Sequence, residues 1–563
     1  MAFFVAIAGA GVARPRSAMA GGLDIPDHGT QALGRGGAFV AKADDGTAIY
    51  YNPAGLARQR GTKLLANANV YLSSFSFQRA GRFPGDGADG DTPWAGSPFP
   101  KVANEGGASV APFAALSSDF GTFDRFTAAV GIFGRPSVGN RTFPFGVDNA
   151  PSAARYDFVQ SRTSYLYPTV SAAYRVAPWL DLGVSGHLVL ASIGRTWMSS
   201  IDAGQCTSHE YQPCDGRANL DVSGSSFGAT VGALIRADEN LAFGLTFQTP
   251  ASIDASGTMT VGAPEKFDGK VGQGAATVAT KLPWTARAGA RYVEMAGDFE
   301  VYDLELDVTY EAWNGALGDG MRLSVPAVGS LQRIDNFIVQ GYRDTYGIRG
   351  GGTWNFDALG GVMSARAGAY FDSAATRFEY TRIDNDTLAK IAGTIGFGYK
   401  KGAFGFDVAY AAIASIPRLV GDGAGLVRPL NLAENGRAVD GSGVVVGAIN
   451  EGAYRGFTHL LSFGVSVTFD AFFGPGRANE LPLWEGGPSG SLPHEEAAPA
   501  EPSESQEGTK SDDDKKDDVK KPEEPKKNLE VPPEQPKKKD EKKDDEKKGN
   551  KPQNKKEWWE GLD

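Results

Sequence analysis

Five histidines, two cysteines and 67 acidic residues are the groups of this 563-residue chain that could act as ligands, nucleophiles or proton carriers. Their spacing matches no enzyme constellation. There is no Walker-type loop, no His-Glu-x-x-His pair and no Gly-x-Ser-x-Gly elbow in a strand-turn-helix setting. Cys206 and Cys214 flank His209 in a loop-like stretch. Two thiols and one imidazole fall short of a zinc set, whereas in an exported chain the two thiols would close a small surface loop as a disulfide. No catalytic residue, metal or cofactor is expected.

The remaining chemistry is charge recognition. Arg287, Arg291, Arg349 and Arg366 each share the inward parity of a strand-like run, and a ligand with a carboxylate head needs such a buried cation. The alternative is bracing: Asp303, Glu305, Asp307 and Glu311 share one face of a neighbouring run, and unpaired buried charge is costly. Bracing suits Arg287 and Arg291 on the adjacent run, which leaves Arg349 and Arg366 as the better ligand candidates.

What positions these groups is a set of alternating segments at 61–79, 107–120, 123–135, 163–176, 179–199, 217–236, 240–262, 277–296, 298–313, 342–357, 361–374, 391–401, 402–415 and 456–469. In the last, Phe457, His459, Leu461, Phe463 and Val465 oppose Thr458, Ser462, Gly464 and Ser466, one face for lipid and one for a polar lumen. Tight joints such as Ala177-Pro178 and Ala296-Gly297 alternate with long loops rich in Gly, Asp, Asn and Pro. That asymmetry and an even strand count belong to outer-membrane barrels rather than soluble sandwiches. The fold class expected is all-β, a transmembrane antiparallel β-barrel of about 14 strands over residues 61–469.

Ahead of it, residues 21–60 carry Gly34-Arg35-Gly36-Gly37-Ala38, Ala43-Asp44-Asp45 and Asn52-Pro53-Ala54-Gly55-Leu56. In order and spacing this resembles the N-terminal hatch of the FadL/TodX family of outer-membrane hydrocarbon transporters. The resemblance implies a plugged barrel in the Gram-negative outer membrane that carries long-chain fatty acids, or otherwise aromatic hydrocarbons, with Gly34, Arg35, Gly36, Asn52, Pro53 and Ala54 in the plug. Val130-Gly131-Ile132-Phe133-Gly134-Arg135-Pro136 resembles the family's third strand, where an interrupted ladder opens a lateral exit. Gly131, Gly134 and Pro136 suit that gate because Pro donates no ladder bond and Gly tolerates a kink; an ordinary strand end at Pro136 is the alternative.

The chain ends differ from the middle. Residues 1–20 hold an apolar stretch ending in Ala18-Met19-Ala20, the form of a secretory signal, although Arg14 and Arg16 lie on the unusual side of it. Residues 470–563 form a tail with 17 of the chain's 26 Lys after Thr509, among many Asp, Glu and Pro, a composition that forms no core. Such a tail would hang in the periplasm, either simply solvated or tethering the barrel to peptidoglycan or a periplasmic protein. A net charge of -11 excludes nucleic acid as a partner. A monomer surrounded by outer-membrane lipids is expected.

Overall fold

A computed structural model describes residues 28–85, 92–135, 141–200, 212–262, 271–314, 320–326, 334–429 and 447–470. The signal segment, the first hatch residues, Pro136, Cys206 and the tail beyond 470 lie outside them.

Fourteen antiparallel strands form the wall: β1 (Lys63–Arg79), β2 (Ala108–Ser118), β3 (Phe126–Arg135), β4 (Ser164–Ala177), β5 (Leu180–Ser200), β6 (Asp215–Arg236), β7 (Leu241–Gln248 and Ala251–Gly262), β8 (Val271–Leu282 and Thr285–Ala296), β9 (Phe299–Glu311 and Gly320–Val325), β10 (Ile334–Val339 and Thr345–Ala358), β11 (Gly361–Asp372), β12 (Lys390–Lys401), β13 (Phe404–Val420) and β14 (Gly452–Thr468). β14 pairs along the whole of β1, from Thr468 against Lys63 to Gly452 against Arg79, so the sheet closes and no edge meets lipid. Among the described residues no helix is long and apolar enough to cross a membrane.

The two faces follow the period-2 pattern. On β9, Leu304, Leu306 and Val308 are exposed on the outer wall, while Asp303, Glu305 and Asp307 are buried inward. Lipid takes the first set because it needs no hydrogen bonds, and the second set must find donors in the lumen.

Five strands differ from the sequence expectation, and proline or a bulge accounts for most of the difference. β7 and β8 change inward parity where Pro250 and Pro283 break the ladder between the pairs Gln248–Thr285 and Ala251–Leu282. β9 stops at Glu311 and resumes at Gly320, displacing its partner on β8 from the Thr285–Glu311 register to Thr277–Ser324. β10 has a matching earlier piece at Ile334–Val339. β13 continues through Pro417, absorbed where the register to β14 shifts between Ser415 and Arg418, the place a bulge tolerates a residue without an N–H.

Inside, residues 29–59 fill the short-turn end with two brief helices, α1 (Thr30–Gly34) and α2 (Ala48–Tyr51), and a 3₁₀ turn, Pro53–Arg58. At the long-loop end, residues 151–159 and 373–376 fold inward and are buried.

Candidate functional site

The plug is locked to the wall by the inward carboxylates of β9. Arg35 bonds Asp303 at 2.6 Å and Glu305 at 3.1 Å, and donates to Thr353 Oγ1 at 2.6 Å. Backbone N–H groups of Phe39 and Val40 donate to Asp307 at 2.8 and 3.0 Å, and that of Ala41 to Glu305 at 2.6 Å. Lys42 adds Glu300 at 2.8 Å and Asp44 at 3.1 Å. One strand thus satisfies a stretch of plug backbone that has no regular ladder of its own. The close approach requires glycine in the wall: a Cβ on Gly351 or Gly368 would lie 2.0 or 2.2 Å from the Arg35 carbonyl group.

Asn52 fixes the next turn. Its amide donates to the Val40 and Ala233 carbonyls at 2.9 and 3.0 Å and its Oδ1 accepts from Ala54 N at 3.2 Å, while Pro53 starts the 3₁₀ turn. Gly34 hands its carbonyl to Thr394 Oγ1 and Gly36 takes φ 68°.

Above the plug the lumen is apolar. Phe133, Tyr167, Val189, Ile193, Trp197, Leu220, Ile253 and Met259 belong to one buried cluster together with Tyr50 and Tyr51 of α2. At the wall beside β3 the rings are dense: Phe133 stacks on Tyr167 at 5.0 Å and meets His28 at 5.1 Å, Tyr50 at 5.4 Å and His187 at 5.9 Å.

This aromatic box adjoins an interruption in the wall. Among the described residues the β2–β3 ladder ends at Phe113 against Phe133. β2 runs on to Ala108 paired only with β1, and β3 runs on to Arg135 paired only with β4. Pro112 and Gly134 face one another at that end, with the Pro112 ring 3.9 Å from where a Gly134 Cβ would stand. The two glycines differ: Gly131 stays in the ladder on both edges, whereas Gly134 keeps only its β4 partner and lies past the end of the β2–β3 pairing. Gly131 is paired on both edges, to Ala115 and Thr169, and Gly134 to Leu166. The role of Gly131 is clearance: a Cβ there would lie 2.4 Å from Ile49 of the plug and 2.7 Å from the Ala114 carbonyl oxygen. Pro112, not singled out in the sequence, lies where pairing stops.

Residues 11–416 match the family of outer membrane protein transport proteins (OMPP1/FadL/TodX). The chain belongs to this family. Its fold is similar to that of a Pseudomonas aeruginosa FadL homologue (TM-score 0.60, 14% identity, 80% of this chain and 100% of that one). It is also similar to the CymD monoaromatic hydrocarbon channel (0.54, 16%, 79% and 98%) and the Ralstonia pickettii toluene transporter TbuX (0.53, 16%, 78% and 98%). At these identities the likeness is one of fold. No curated protein sequence matches the chain significantly. As a FadL/TodX-family member the molecule is an outer-membrane transporter of hydrophobic compounds, and the short-turn end that holds the plug is its periplasmic end.

In this FadL/TodX barrel the four arginines have distinct surroundings. Arg291 braces, bonding Glu300 at 2.6 Å and Asp303 at 2.8 Å. Arg287 donates to the Tyr50 hydroxyl at 2.9 Å and lies over its ring, at the floor of the apolar lumen. Arg349 pairs with Asp372 at 3.1 Å, and Arg366 pairs with Asp407 at 2.6 Å while donating to Gln31 of the plug. A ligand carboxylate at either of the last two would have to displace a wall carboxylate.

The extracellular end carries a second charged layer that the sequence reading missed. Arg195 bonds Asp384 at 3.0 Å and the Asp157 carbonyl at 3.1 Å, Arg382 pairs with Asp157, and Gln340 donates to Asp384. Burial opposes ionisation of Asp384, yet Arg195 and Arg382 hold it below the usual carboxylate range. Cys214 is buried at the end of a short 3₁₀ turn in the β5–β6 loop.

Proposed function

We propose that this chain moves long-chain fatty acids through the outer membrane by lumen binding and lateral exit between β2 and β3. The observation that carries this reading is the end of the β2–β3 ladder directly beside the aromatic box. Elsewhere a gap would strand paired backbone groups in lipid at several kcal/mol each, but here Pro112 has no N–H to strand and the pairing already stops. The apolar wall above the plug suits an acyl chain, and Arg287 at its floor suits a carboxylate head. The ligand enters past the extracellular layer, settles above α2, and leaves sideways once the plug shifts Ile49 away from Gly131.

The density of rings beside β3 favours a second reading, passage of aromatic hydrocarbons. Uptake of labelled oleate and of labelled toluene, by a Gram-negative host lacking its own hydrocarbon channels, separates the two. Oleate uptake that depends on the chain supports the first; toluene uptake alone supports the second. We assign residues 1–20 to export and the tail beyond 470 to the periplasm. Removing residues 475–563 should leave uptake intact, because the described wall and plug are built from residues 28–470; lost uptake with normal insertion would make the tail a working part, as a tether would be.

A further inference from the structure

We propose that the periplasmic end of the lumen contains a second site, which binds the carboxylate of an amphiphile between Lys63 and Lys400. A cavity of about 130 Å³ lies there, between Asp44–Gly46 of the plug and the ends of β1, β12, β13 and β14. Lys63 opens β1 and Lys400 is next to last on β12, both half-buried and both lining the cavity. Among the described residues neither ammonium is within ion-pair or hydrogen-bond reach of a carboxylate, unlike the cavity's other cations: Lys42 is held by Glu300 and Asp44, and Arg366 by Asp407. The two lysines act on each other electrostatically, so an anion between them removes a repulsion as well as gaining two charge-assisted bonds.

The carboxylates of the cavity do not fill that role. Asp44 accepts from Lys42 and Gln31, Asp407 from Arg366, and Asp45 from the Thr47 N–H and hydroxyl. Burial, and then the charge of Asp44, pushes Asp45 up to about 7, so near neutral pH it is only partly ionised. The other nearby carboxylates are held elsewhere: Glu300 by Lys42 and Arg291, Asp119 by the Gly61 N–H and Asp470 by the Thr62 N–H, so although Asp119 and Asp470 attract Lys63, neither pairs with it. Leu65 and Tyr399 supply an apolar side, which suits a carboxylate carrying the first carbons of an alkyl chain better than a bare inorganic anion. This inference rests on the reading of the chain as a carrier of fatty acids and adds a holding site for the acid's head at the periplasmic end, apart from the lateral exit between β2 and β3.

The test uses the full-length protein in detergent and needs no transport. Reductive methylation of lysines, read by mass spectrometry, is run with and without sodium octanoate; Lys63 and Lys400 should be protected several-fold while the exposed Lys101 and Lys401 are not. Calorimetric titration of octanoate into the Lys63→Gln, Lys400→Gln double variant should show about tenfold weaker binding for each ammonium removed, with octanol binding unchanged. Unprotected lysines at saturating octanoate overturn the proposal. Acetate or phosphate protecting as well as octanoate overturns the assignment to an amphiphile. Because methylation reads the wild-type protein, a double variant that fails to insert leaves the test standing, and a failure of oleate uptake is scored separately.

Discussion

Replacing Arg35 with Met should release the plug. The side chain is fully buried and makes ion pairs to Asp303 and Glu305, a hydrogen bond to Thr353 and one to the Ala38 carbonyl. Breaking a buried pair by removing one partner costs about 3–5 kcal/mol. The lower end applies here, since Asp303 keeps Arg291 at 2.8 Å and Glu305 keeps the Ala41 N–H at 2.6 Å. About 3 kcal/mol raises the population of barrels with a displaced plug on the order of 100-fold. The assay is open probability in planar bilayers, with sensitivity of cells to a large hydrophilic antibiotic as a second readout. Arg35→Lys should fall between Met and wild type, because a point charge cannot span the two carboxylates as the guanidinium fork does. An Arg35→Met barrel that inserts normally and shows an open probability within about twofold of wild type would refute the view that β9 holds the plug.

Asn52→Ala with Pro53→Ala should also loosen the plug, by about 1–3 kcal/mol, since the Val40 and Ala233 carbonyls lose their donor; dye leakage unchanged from wild type counts against it. The raised pKa of Asp45 means the packed plug holds that proton more tightly than a released plug. Its packing should therefore weaken as pH rises from about 4, the ordinary carboxylate value, to about 7, and change no further above that. Hydrogen exchange across residues 40–60 at pH 5 and pH 8, corrected for intrinsic rates, reads this, and Asp45→Asn should abolish the difference. Cys206 and Cys214 should form an extracellular disulfide, contributing about 2–3 kcal/mol at most for so short a loop; an impermeant thiol reagent that labels either on intact cells without reductant contradicts it.

The wall was legible because lipid on one side and plug or lumen on the other impose a strict alternation, as on β9 and β14, and because tight turns such as Gly297 and Gly402, both at positive φ, punctuate it. What escaped was the structure beyond proline. The sequence reading ended β13 before Pro417 and missed the pieces Gly320–Val325 and Ile334–Val339, where pairing depends on a partner strand rather than on a local pattern. The carboxylates of β9 were correctly placed inward, but their principal partners are Arg35 and the backbone of Phe39–Ala41, more than 260 residues earlier, and no spacing rule links segments so far apart. Pro112 and the aromatic box gave no signal for a different reason: Phe113, Phe133, Tyr167 and His187 come from four consecutive strands, and which of their inward positions lie level depends on the register of each pairing.

Lateral exit between β2 and β3 is tested most directly by locking the seam. Pro112→Cys with Gly134→Cys places two thiols on facing strands at the point where pairing stops, with a Gly134 Cβ standing 3.9 Å from the Pro112 ring. With the disulfide formed, oleate delivery by inserted protein should fall to background and return on reduction, while oleate still binds in the lumen. Delivery at the wild-type rate through the cross-linked wall would contradict the account and move the exit to the periplasmic mouth.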